Sequence, residues 1–579
     1  MMDPLFSSAF IQGYECLAAW SDLLDQINVF PVADADTGRN LKISLAPLRL
    51  LAEKPTEVSR QMLRAATGNA GNIAAAFFQS LVELQRSEDL AAAVDRGLRQ
   101  ACRAVADPKP GTMLTLFESL ANALPPAAQP PTAWDLEAIV AHLEKCVADT
   151  SDTLPELRRA GVVDAGALGM FIFMEAFLGS LAGRNHHRPV TERFNGKLTI
   201  ADQWQPDESS ARYCVSALIQ SDKSRSEARE LLSDCGESVV INAGVDGVKV
   251  HLHTDDRDTL RSGLAQIGQV VSWREESIES IFPAAHASQP VHVMTDAAGS
   301  VTREDALCLG MTLLDSYLVV GDQSWPETLS VPDALYAAMG GGQKVSTAQA
   351  STFQRHQSYL SALSRFPQVL YLCVGSVYTG NFATATAWQT ANDPDGRLTI
   401  LDSGAASGRL GNVALATAHY ARQGHDMAKV LDFARRAMAQ SQELVFLDQL
   451  KFLAAGGRIS KTQGFFGDLL HMKPIMTPLA HGAAKVGVVR HRKDQLAFAR
   501  KRLESSFAPG AAPLILLQYT DNRAWVEEVV AQEVRKLLPV ARILLRPLSL
   551  TSGAHMGPGT WGVAFLPEAF DTLEPRNAS

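Results

Sequence analysis

From Phe10 to about Gly183, apolar residues recur at every third or fourth position, as Ile11, Tyr14 and Leu17 illustrate. This spacing is typical of amphipathic α-helices. Short interruptions rich in glycine, proline and asparagine fall at residues 31–40, 68–72, 107–111 and 161–166. We therefore predict an all-α bundle of about eight helices over residues 1–185, with its chemistry on the loops between helices.

The most apolar run, residues 160–183, contains Asp164, Glu175 and several glycines. Charged residues are rare in membrane-spanning helices, so we interpret this run as a buried helix. The next stretch, residues 183–210, is polar and lacks a strong period. It predicts a linker with one short strand at residues 197–200.

Residues 212–281 show a regular alternation of strand and helix patterns. The predicted order is strand 213–220, helix 224–235, strands 238–242 and 248–253, helix 257–267 and strand 269–273. The order βαββαβ is that of a ferredoxin-like α+β domain, which we place at residues 195–285. In that topology the first and third strands are neighbours.

A third domain is predicted at residues 290–570. Residues 282–290, rich in alanine, serine and proline, predict a linker before it. Strands and helices then alternate to Phe565, which predicts a wound α/β sheet. Such sheets bind ligands at the ends of their strands.

Composition narrows the classes of function. A chain of 579 residues exceeds one hydrophobic core and predicts about three or four domains. The net charge of −9, without a lysine or arginine cluster, argues against nucleic acid as a partner. The first residues lack the basic and apolar regions of a secretory signal. The 7 cysteines show no CxxC spacing, so we expect a cytoplasmic location and no disulfide framework.

Two carboxylates, Asp34 and Asp36, stand two residues apart in the first interruption. Mg²⁺ prefers oxygen ligands and often binds one or two carboxylates together with substrate phosphates. Thr37 and Gly38 then begin the next predicted helix, whose free amides favour an anion. The alternative is a solvated, Asp-rich turn that caps a helix.

The wider stretch reads Asn-Val-Phe-Pro-Val-x-Asp-x-Asp-Thr-Gly-x-Asn and resembles the metal-binding turn of DhaL-type kinase domains. Those domains occur in dihydroxyacetone kinases and in bacterial fatty acid kinases. Loops at residues 68–74, 110–115 and 161–169 resemble the loops that gather around ATP and its metal in that family. Taken alone, the loop at 68–74 is more simply a helix-capping loop. The resemblance implies ATP and Mg²⁺ as cofactors, with Asp34 and Asp36 as catalytic and metal-binding residues. It also implies nucleotide contacts at Thr37, Gly38, Asn40, Gly68, Gly71, Asn72, Gly111, Thr112, Met113, Asp164 and Gly166.

The chain departs from the family pattern where phosphate would bind. Ile73 stands for a serine, and Ala74 stands for a glycine that leaves room for a phosphate oxygen. Pro110 replaces an acidic residue, Ala167 replaces a glycine, and Arg39 is foreign to the metal turn. We expect ATP binding with an eroded phosphate loop.

A second metal site is predicted in the middle domain. His251 and His253, two apart on the third strand, face the same side of the sheet, and Cys214 lies on the neighbouring first strand. One cysteine and two histidines form a Zn²⁺ ligand set with one position left for water or another ligand. The alternative is an exposed histidine pair beside a buried core cysteine. The stretch resembles the middle domain of fatty acid kinases, which implies zinc at these three residues.

Five stretches of the third domain, beginning near residues 291, 344, 374, 453 and 553, resemble the motifs of the DegV family of fatty-acid-binding proteins. The resemblance implies that Thr347, Ser376 and His555 hold a lipid carboxylate while the acyl chain lies in an apolar tunnel. It further implies substrate contacts at Thr379, Gly380 and Arg458. For His555 alone, a capped histidine in a Gly-Pro-Gly turn is the alternative.

Together these resemblances imply an ATP-dependent kinase that converts a bound fatty acid into an acyl phosphate. Two alternatives remain: a non-catalytic lipid-binding or sensing protein with a decayed kinase site, and a dihydroxyacetone-type small-ketone kinase. We expect fatty acid and ATP as partners, a homodimer, and transient membrane contact for lipid exchange.

Overall fold

The computed structural model describes residues 4–52, 55–84, 86, 89–125, 129–184, 188–206, 211–244, 247–278, 289–321, 323–455, 472–508 and 510–567. The chain divides into two compact units, residues 1–285 and 286–579. The first unit begins with helices and continues into a four-stranded sheet. The second contains its own sheets and helices.

The helical N-terminal region predicted from the sequence is confirmed. Its described helices are α1 Pro4–Ala19, α2 Ser21–Gln26, α3 Thr37–Leu45, α4 Pro55–Ala65, α5 Gly68–Gln79, α6 Leu90–Ala104, α7 Met113–Ala123, α8 Leu136–Thr153, α9 Pro155–Ala160, α10 Ala165–Leu181 and α11 Val190–Arg193.

Helix α10 forms the centre of this region. All of its residues are buried, and it packs along α1. Aromatic rings join the helices, with ring centroids 4.8 Å apart for Phe10 and Phe177 and 4.6 Å apart for Phe78 and Phe173. The apolar run is therefore a core helix. Across the described ranges, no helix is both long and apolar enough to cross a bilayer.

The stretch that follows α10 differs from the predicted linker. Residues 197–200 form no strand. Instead, Lys197 Nζ donates to Ala148 O and to Ser151 Oγ, each at 2.8 Å, and Phe194 packs edge-on against Phe171. The conformation of this segment depends on its contacts with α8 and α10. Its own sequence has no hydrophobic periodicity from which that conformation could be predicted.

The middle domain consists of β1 Tyr213–Gln220, α12 Arg225–Leu232, β2 Glu237–Gly244, β3 Gly247–Thr254, α13 Arg257–Ile267 and β4 Gln269–Ser277. The antiparallel sheet has the order β2-β3-β1-β4, so the predicted neighbourhood of the first and third strands is confirmed. Val248, Val250 and Leu252 pack with α12 and α13 on one face. The alternate residues of β3, including His251 and His253, therefore face the other side, where α5 packs.

In the second unit the described elements are β5 His292–Asp296, α14 Arg303–Leu309, β6 Thr312–Leu314, β7 Tyr317–Val320, β8 Gln323–Pro326, α15 Pro332–Gly340, β9 Val345–Ala348, α16 Thr352–Arg365, β10 Val369–Cys373, α17 Asn381–Asn392, β11 Leu398–Asp402, α18 Ser407–Ala421, α19 Met427–Gln440, β12 Gln442–Phe446, α20 Leu450–Ala455, β13 Lys473–Leu479, β14 Gly482–Val489, α21 Arg492–Ser506, β15 Leu514–Tyr519, α22 Arg523–Trp525, a π-helix Val526–Val530, α23 Ala531–Leu537, β16 Arg542–Pro547, α24 Leu550–Met556 and β17 Trp561–Leu566.

The α/β character of this unit is confirmed, but the prediction of one wound sheet is wrong. A parallel sheet has the order β11-β10-β5-β6, a mixed sheet the order β14-β13-β12-β17-β15-β16, and a small antiparallel sheet the order β8-β7-β9. Strand β17 lies antiparallel between β12 and β15. Alternation along the chain predicts element types, whereas such long-range pairing depends on tertiary packing. Most of the predicted linker at 282–290 lies outside the described residues.

Candidate nucleotide, metal and carboxylate sites

The metal turn, residues 28–40, is held together by its own polar side chains. Asn28 Nδ2 donates to Val32 O and to Asp34 Oδ1, both at 2.9 Å, and Thr37 Oγ1 donates to Asn28 Oδ1. Ala35 takes a left-handed conformation with φ 53°, so the chain turns sharply between the two aspartates. The turn thus presents Asp34 and Asp36 side by side.

The electrostatics of this turn fit a divalent cation. Burial and the neighbouring Asp36 carboxylate raise the pKa of Asp34 well above its usual range. A cation between the two groups would remove that repulsion and favour both ionised forms. Arg39 already contributes positive charge, because its Nη2 lies 4.0 Å from Asp36 Oδ2 and also pairs with Glu276 on β4.

The predicted phosphate loop is in fact the beginning of a helix. Helix α5 starts at Gly68, whereas the sequence predicted a loop at residues 68–74. A Cβ on Gly68 would lie 1.9 Å from Asn40 Nδ2, and one on Gly71 would lie 2.0 Å from Ser44 Oγ. These glycines therefore allow α5 to pack closely on α3. The first amides of a helix lack intrahelical acceptors and remain suited to an anion.

Asp164, at the start of α10, is another buried carboxylate of the helical region. It caps α10 by accepting a hydrogen bond from Ala167 N at 2.7 Å. Burial raises its pKa to about 7, although amide hydrogen bonds from Ala167, Gly166 and Met113 oppose the shift. Asp164 thus links the start of α10 with the start of α7.

These elements surround one cavity of about 630 Å³. The predicted residues that line it are Asp34, Asp36, Thr37, Gly68, Thr112, Met113, Asp164 and Gly166. The predicted contacts Gly38, Asn40, Gly71, Asn72 and Gly111 are not among its described lining residues. Besides Gly71, two of these have clear packing reasons: a Cβ on Gly38 would lie 1.9 Å from Ser21 O, and Asn72 O accepts a hydrogen bond from Asn242 Nδ2 at 2.8 Å.

The sequence did not reveal that the middle domain supplies a wall of the same cavity. Arg229, Leu232, Ser233, residues 236–240, His251 and His253 line it together with the helical loops. Ile73, the residue that departs from the family serine, also lines the cavity. No local signal in residues 229–240 marks them as functional, because their position follows from packing against α5 and α6.

The structure brings Cys214, His251 and His253 together. One potential ligand atom from each lies within 4.8 Å of the others, and Cys214 pairs directly with His253 across β1 and β3. His251 Nδ1 lies 3.9 Å from Cys214 Sγ and 3.1 Å from Ser216 Oγ. Both histidines are buried, which removes the alternative of an exposed pair. Sequence reasoning missed Ser216.

This cluster fits a Zn²⁺ ion. His251 Nε2 and His253 Nδ1 are buried and have no hydrogen-bond partner among the described residues. Unpaired buried polar atoms cost free energy, which a bound cation would offset. Burial lowers the pKa of His251 well below its usual range, and neutral imidazole is the form that binds metal. Burial and the charges of Asp36 and Asp34 raise the pKa of Cys214, and a bound cation would oppose this shift by favouring the thiolate.

In the second unit, two of the predicted carboxylate-binding residues meet. Thr347 Oγ1 on β9 lies 3.2 Å from His555 Nε2 on α24, although 208 positions separate them in the chain. A hydroxyl and an imidazole at this distance can both reach one carboxylate. His555 lies within α24, near its end, and so is not a turn histidine.

The other predicted substrate residues lie on one loop or outside the described chain. Ser376 N donates to Asp402 Oδ1 at 3.0 Å, and Thr379 Oγ1 accepts from Asn381 N at 3.2 Å. A Cβ on Gly380 would lie 3.9 Å from Gln349 Oε1, so this loop lies beside the strand that carries Thr347. Arg458 lies outside the described residues.

Helix α24 is positioned by a carboxylate that sequence reasoning missed. Glu327 accepts hydrogen bonds from Thr551 N at 2.8 Å and from Thr551 Oγ1 at 2.7 Å. Burial raises the pKa of Glu327 to about 7. Glu327 therefore fixes the start of the helix whose last turn holds His555.

Three family models match the chain in succession. They are the DAK2 domain at residues 31–179, the FakA-like middle domain of fatty acid kinase at 210–280, and the uncharacterised DegV protein family at 290–568. The chain thus joins a DAK2 domain, a fatty acid kinase-like middle domain and a DegV domain. The three resemblances seen in the sequence are confirmed in the predicted order.

The individual proteins that this chain resembles have low sequence identity to it. Uncharacterized proteins of Staphylococcus aureus strains USA300 and MRSA252 are 27% and 28% identical over 324 residues, which is 49% of this chain and 58% of each relative. The chain therefore spans little more than half the length of these relatives. Similar solved structures include a DegV family protein from Thermus thermophilus described as binding fatty acid, at 23% identity, and DegV from Bacillus subtilis, described as a fatty acid binding protein, at 18%. Each aligns with 48% of this chain and 100% of its own, with a TM-score of 0.45.

Proposed function

We propose that the protein is an ATP-dependent kinase that phosphorylates the carboxylate of a fatty acid held by its DegV domain. The observation that supports this most directly is the shared cavity, in which Asp34 and Asp36 lie with helix starts suited to phosphate. Its volume of about 630 Å³ falls within the range of small-molecule sites. Asp34 and Asp36 would hold Mg²⁺, which would neutralise charge on the phosphates of ATP.

In this reaction a carboxylate oxygen attacks the γ-phosphorus of ATP. The bond from that phosphorus to the bridging oxygen of ADP breaks, and an acyl phosphate and ADP form. The chain's own residues position the phosphates and balance charge, which is where most catalysis of phosphoryl transfer arises. Thr347, Ser376 and His555 would hold the lipid carboxylate. This assignment is supported by the side chains of Thr347 and His555, which lie within hydrogen-bonding distance of each other.

In this proposal the middle domain has a structural role, because it contributes a wall of the nucleotide cavity. Its strand order and βαββαβ connectivity support a ferredoxin-like assignment. Zn²⁺ at Cys214, His251 and His253 would stabilise the wall that this domain contributes to the nucleotide cavity.

The direct test is to incubate the full chain with ATP, Mg²⁺ and a range of fatty acids in the presence of hydroxylamine. Formation of a fatty hydroxamate, dependent on ATP, is the expected result because hydroxylamine traps acyl phosphates. If no hydroxamate forms with any chain length while fatty acids still bind, the lipid-sensing alternative replaces the kinase. Ile73 in the cavity lining is the feature that would then account for the loss.

Replacing His555 by alanine should weaken fatty acid binding about tenfold to a hundredfold. A hydrogen bond to a charged group contributes about 1.5–3 kcal/mol, and 1.4 kcal/mol corresponds to about tenfold in affinity. Isothermal titration of the full chain with a soluble fatty acid would measure the change. His425→Ala, in the same unit and stacked on Tyr420, is a matched control and should leave affinity unchanged. Equal wild-type affinity for a fatty acid and its methyl ester would contradict carboxylate recognition.

Replacing Arg39 by glutamine should strengthen Mn²⁺ binding at the metal turn by up to about fivefold. The substitution removes a positive charge 4.0 Å from Asp36, and a partly exposed ion pair is worth up to about 1 kcal/mol. Titration of zinc-loaded protein with Mn²⁺, followed by electron paramagnetic resonance, would measure the effect. Arg274→Gln is the matched control, because Arg274 pairs with the same Glu276 at 2.8 Å but forms no ion pair with Asp36 among the described contacts. Equal effects of both variants would contradict a direct role for Arg39.

A further inference from the structure

Two contacts join the helical segments beside the nucleotide cavity to opposite edges of the middle-domain sheet. On one side, Arg39 of the metal turn pairs with Glu276 on β4. On the other side, Ala106 N, just after α6, donates to Val239 O on β2 at 3.0 Å. The sheet order is β2-β3-β1-β4, so these contacts lie three strand spacings apart, or about 14 Å. Between these contacts, residues of the metal turn, β2 and β3 line the cavity.

The chemistry of the lining changes along this direction. The metal turn contributes the carboxylates of Asp34 and Asp36 to the lining, and β3 contributes His253. Beside β2 the lining includes a group of apolar side chains, Val105, Leu232, Val239 and Val240, together with polar ones such as Arg229, Ser233, Glu237 and Ser238. Phosphates and metal belong at the first end. The second end offers apolar surface to a flat ring.

The beginning of β2 is built in an unusual way. Glu237 pairs with His253, but Val240 pairs with His251, so Ser238 and Val239 together oppose one residue of β3. This β-bulge holds Ser238 in a left-handed conformation with φ 56°. A regular strand turns only alternate residues toward one side, yet residues 236–240 all line the cavity. Bulges redirect side chains near functional sites, and strained backbone concentrates there.

The helical segment opposite the bulge is held in place by the middle domain. Arg229 Nη2 on α12 donates to Arg103 O at 2.6 Å and to Val105 O at 3.0 Å. Val105 also forms a β-bridge with Val240. The end of α6 and the start of β2 therefore form one fixed wall, and a preorganised wall favours binding because little conformational freedom is lost.

We propose that the purine base of the nucleotide binds at this end, on the apolar side chains beside the bulged start of β2. The middle domain then sets the affinity for the base, while the helical domain holds the metal and phosphates. The ring lies against apolar side chains, and its polar edge meets main-chain groups and the hydroxyls of Ser233 and Ser238. This inference rests on the proposed function, since it requires the cavity to bind ATP.

The test compares two ligands that differ in the base. Ser233 is exposed at the end of α12 and lines the cavity, so Ser233→Trp fills this end without entering the core. Titration calorimetry on the full chain would measure affinity for Mg²⁺–ATP and for Mg²⁺–tripolyphosphate, which has no base. Ser226→Trp, exposed on the same helix but outside the described lining, is the matched control.

The expected result is at least a tenfold loss of Mg²⁺–ATP affinity in Ser233→Trp, with tripolyphosphate affinity within twofold of wild type. Unchanged tripolyphosphate binding also reports an intact fold. Unchanged ATP affinity, or equal losses for both ligands, would overturn the location of the base. Equal affinity of the wild-type protein for Mg²⁺–tripolyphosphate and Mg²⁺–ATP would also overturn the location of the base, because the adenosine part would then contribute nothing to binding. Wild-type protein that binds neither ligand would instead overturn the proposed kinase function, and this inference with it.

Discussion

Replacing Asp36 by asparagine should abolish fatty-acid-dependent ATP consumption and leave fatty acid affinity unchanged. The substitution keeps the size of the side chain but removes one of the two carboxylates that would neutralise Mg²⁺. An amide oxygen is a much weaker ligand for a hard cation, so the phosphates of ATP lose their charge compensation. Fatty acid affinity should persist, because Thr347 and His555 belong to the other compact unit.

The Asp36→Asn variant should also be at least as stable as wild type without metal. The charge of Asp36 is one cause of the raised pKa of Asp34, so its removal relieves repulsion in the metal-free turn. Thermal unfolding in a chelating buffer would measure this. Asp95→Asn removes an exposed carboxylate paired with Arg99 on α6 and serves as the control for charge alone. ATP consumption within tenfold of wild type in Asp36→Asn would show that the turn is not the catalytic metal site.

Local pattern was sufficient to predict the cysteine–histidine cluster. Two histidines spaced by one residue must share a strand face, and the βαββαβ order places the first strand beside the third. Cys214 and His253 are indeed directly paired. The sequence could not show that this face is buried against helices, because alternation along β3 looks the same for an exposed sheet.

Only part of the proposed nucleotide cavity could be predicted from the sequence. The metal turn has a dense local motif, so Asp34, Asp36 and Thr37 were recognised and do line the cavity. The wall at residues 229–240 depends on contacts such as Asn242 Nδ2 to Asn72 O, which join positions 170 residues apart. No period or turn signal carries such information. The helical start of α5 was missed for a related reason, since glycines usually interrupt helices and here permit close packing on α3.

In the DegV domain, too, some site residues could be recognised from a motif and others only from the folded structure. A family motif predicted that Thr347 and His555 act together, and the structure places their side chains 3.2 Å apart. Glu327, which positions the helix of His555, has no motif of its own. Its function follows from burial and from two hydrogen bonds to Thr551, which only the folded chain reveals.

Replacing Cys214 by serine should abolish zinc binding by the middle domain. Wild-type protein, purified without chelator, should contain about one zinc per chain, because Cys214 and two buried histidines supply three of four tetrahedral ligands. A serine hydroxyl is not deprotonated at neutral pH and is a poor zinc ligand. Elemental analysis by mass spectrometry would measure the metal content of both proteins.

The matched control is Cys235→Ser, because Cys235 is another cysteine of this domain but lies in the core between α12 and α13. The Cys235→Ser protein should be less stable than wild type but keep its zinc, whereas the Cys214→Ser protein should contain no zinc. Metal binding contributes to folding where a site forms only in the folded state, so a chelator should lower the melting temperature of wild type and of Cys235→Ser but not that of Cys214→Ser. The histidines line the nucleotide cavity, so zinc-free protein should also bind Mg²⁺–ATP more weakly. Wild-type protein without zinc, and with a melting temperature indifferent to added Zn²⁺, would contradict the site.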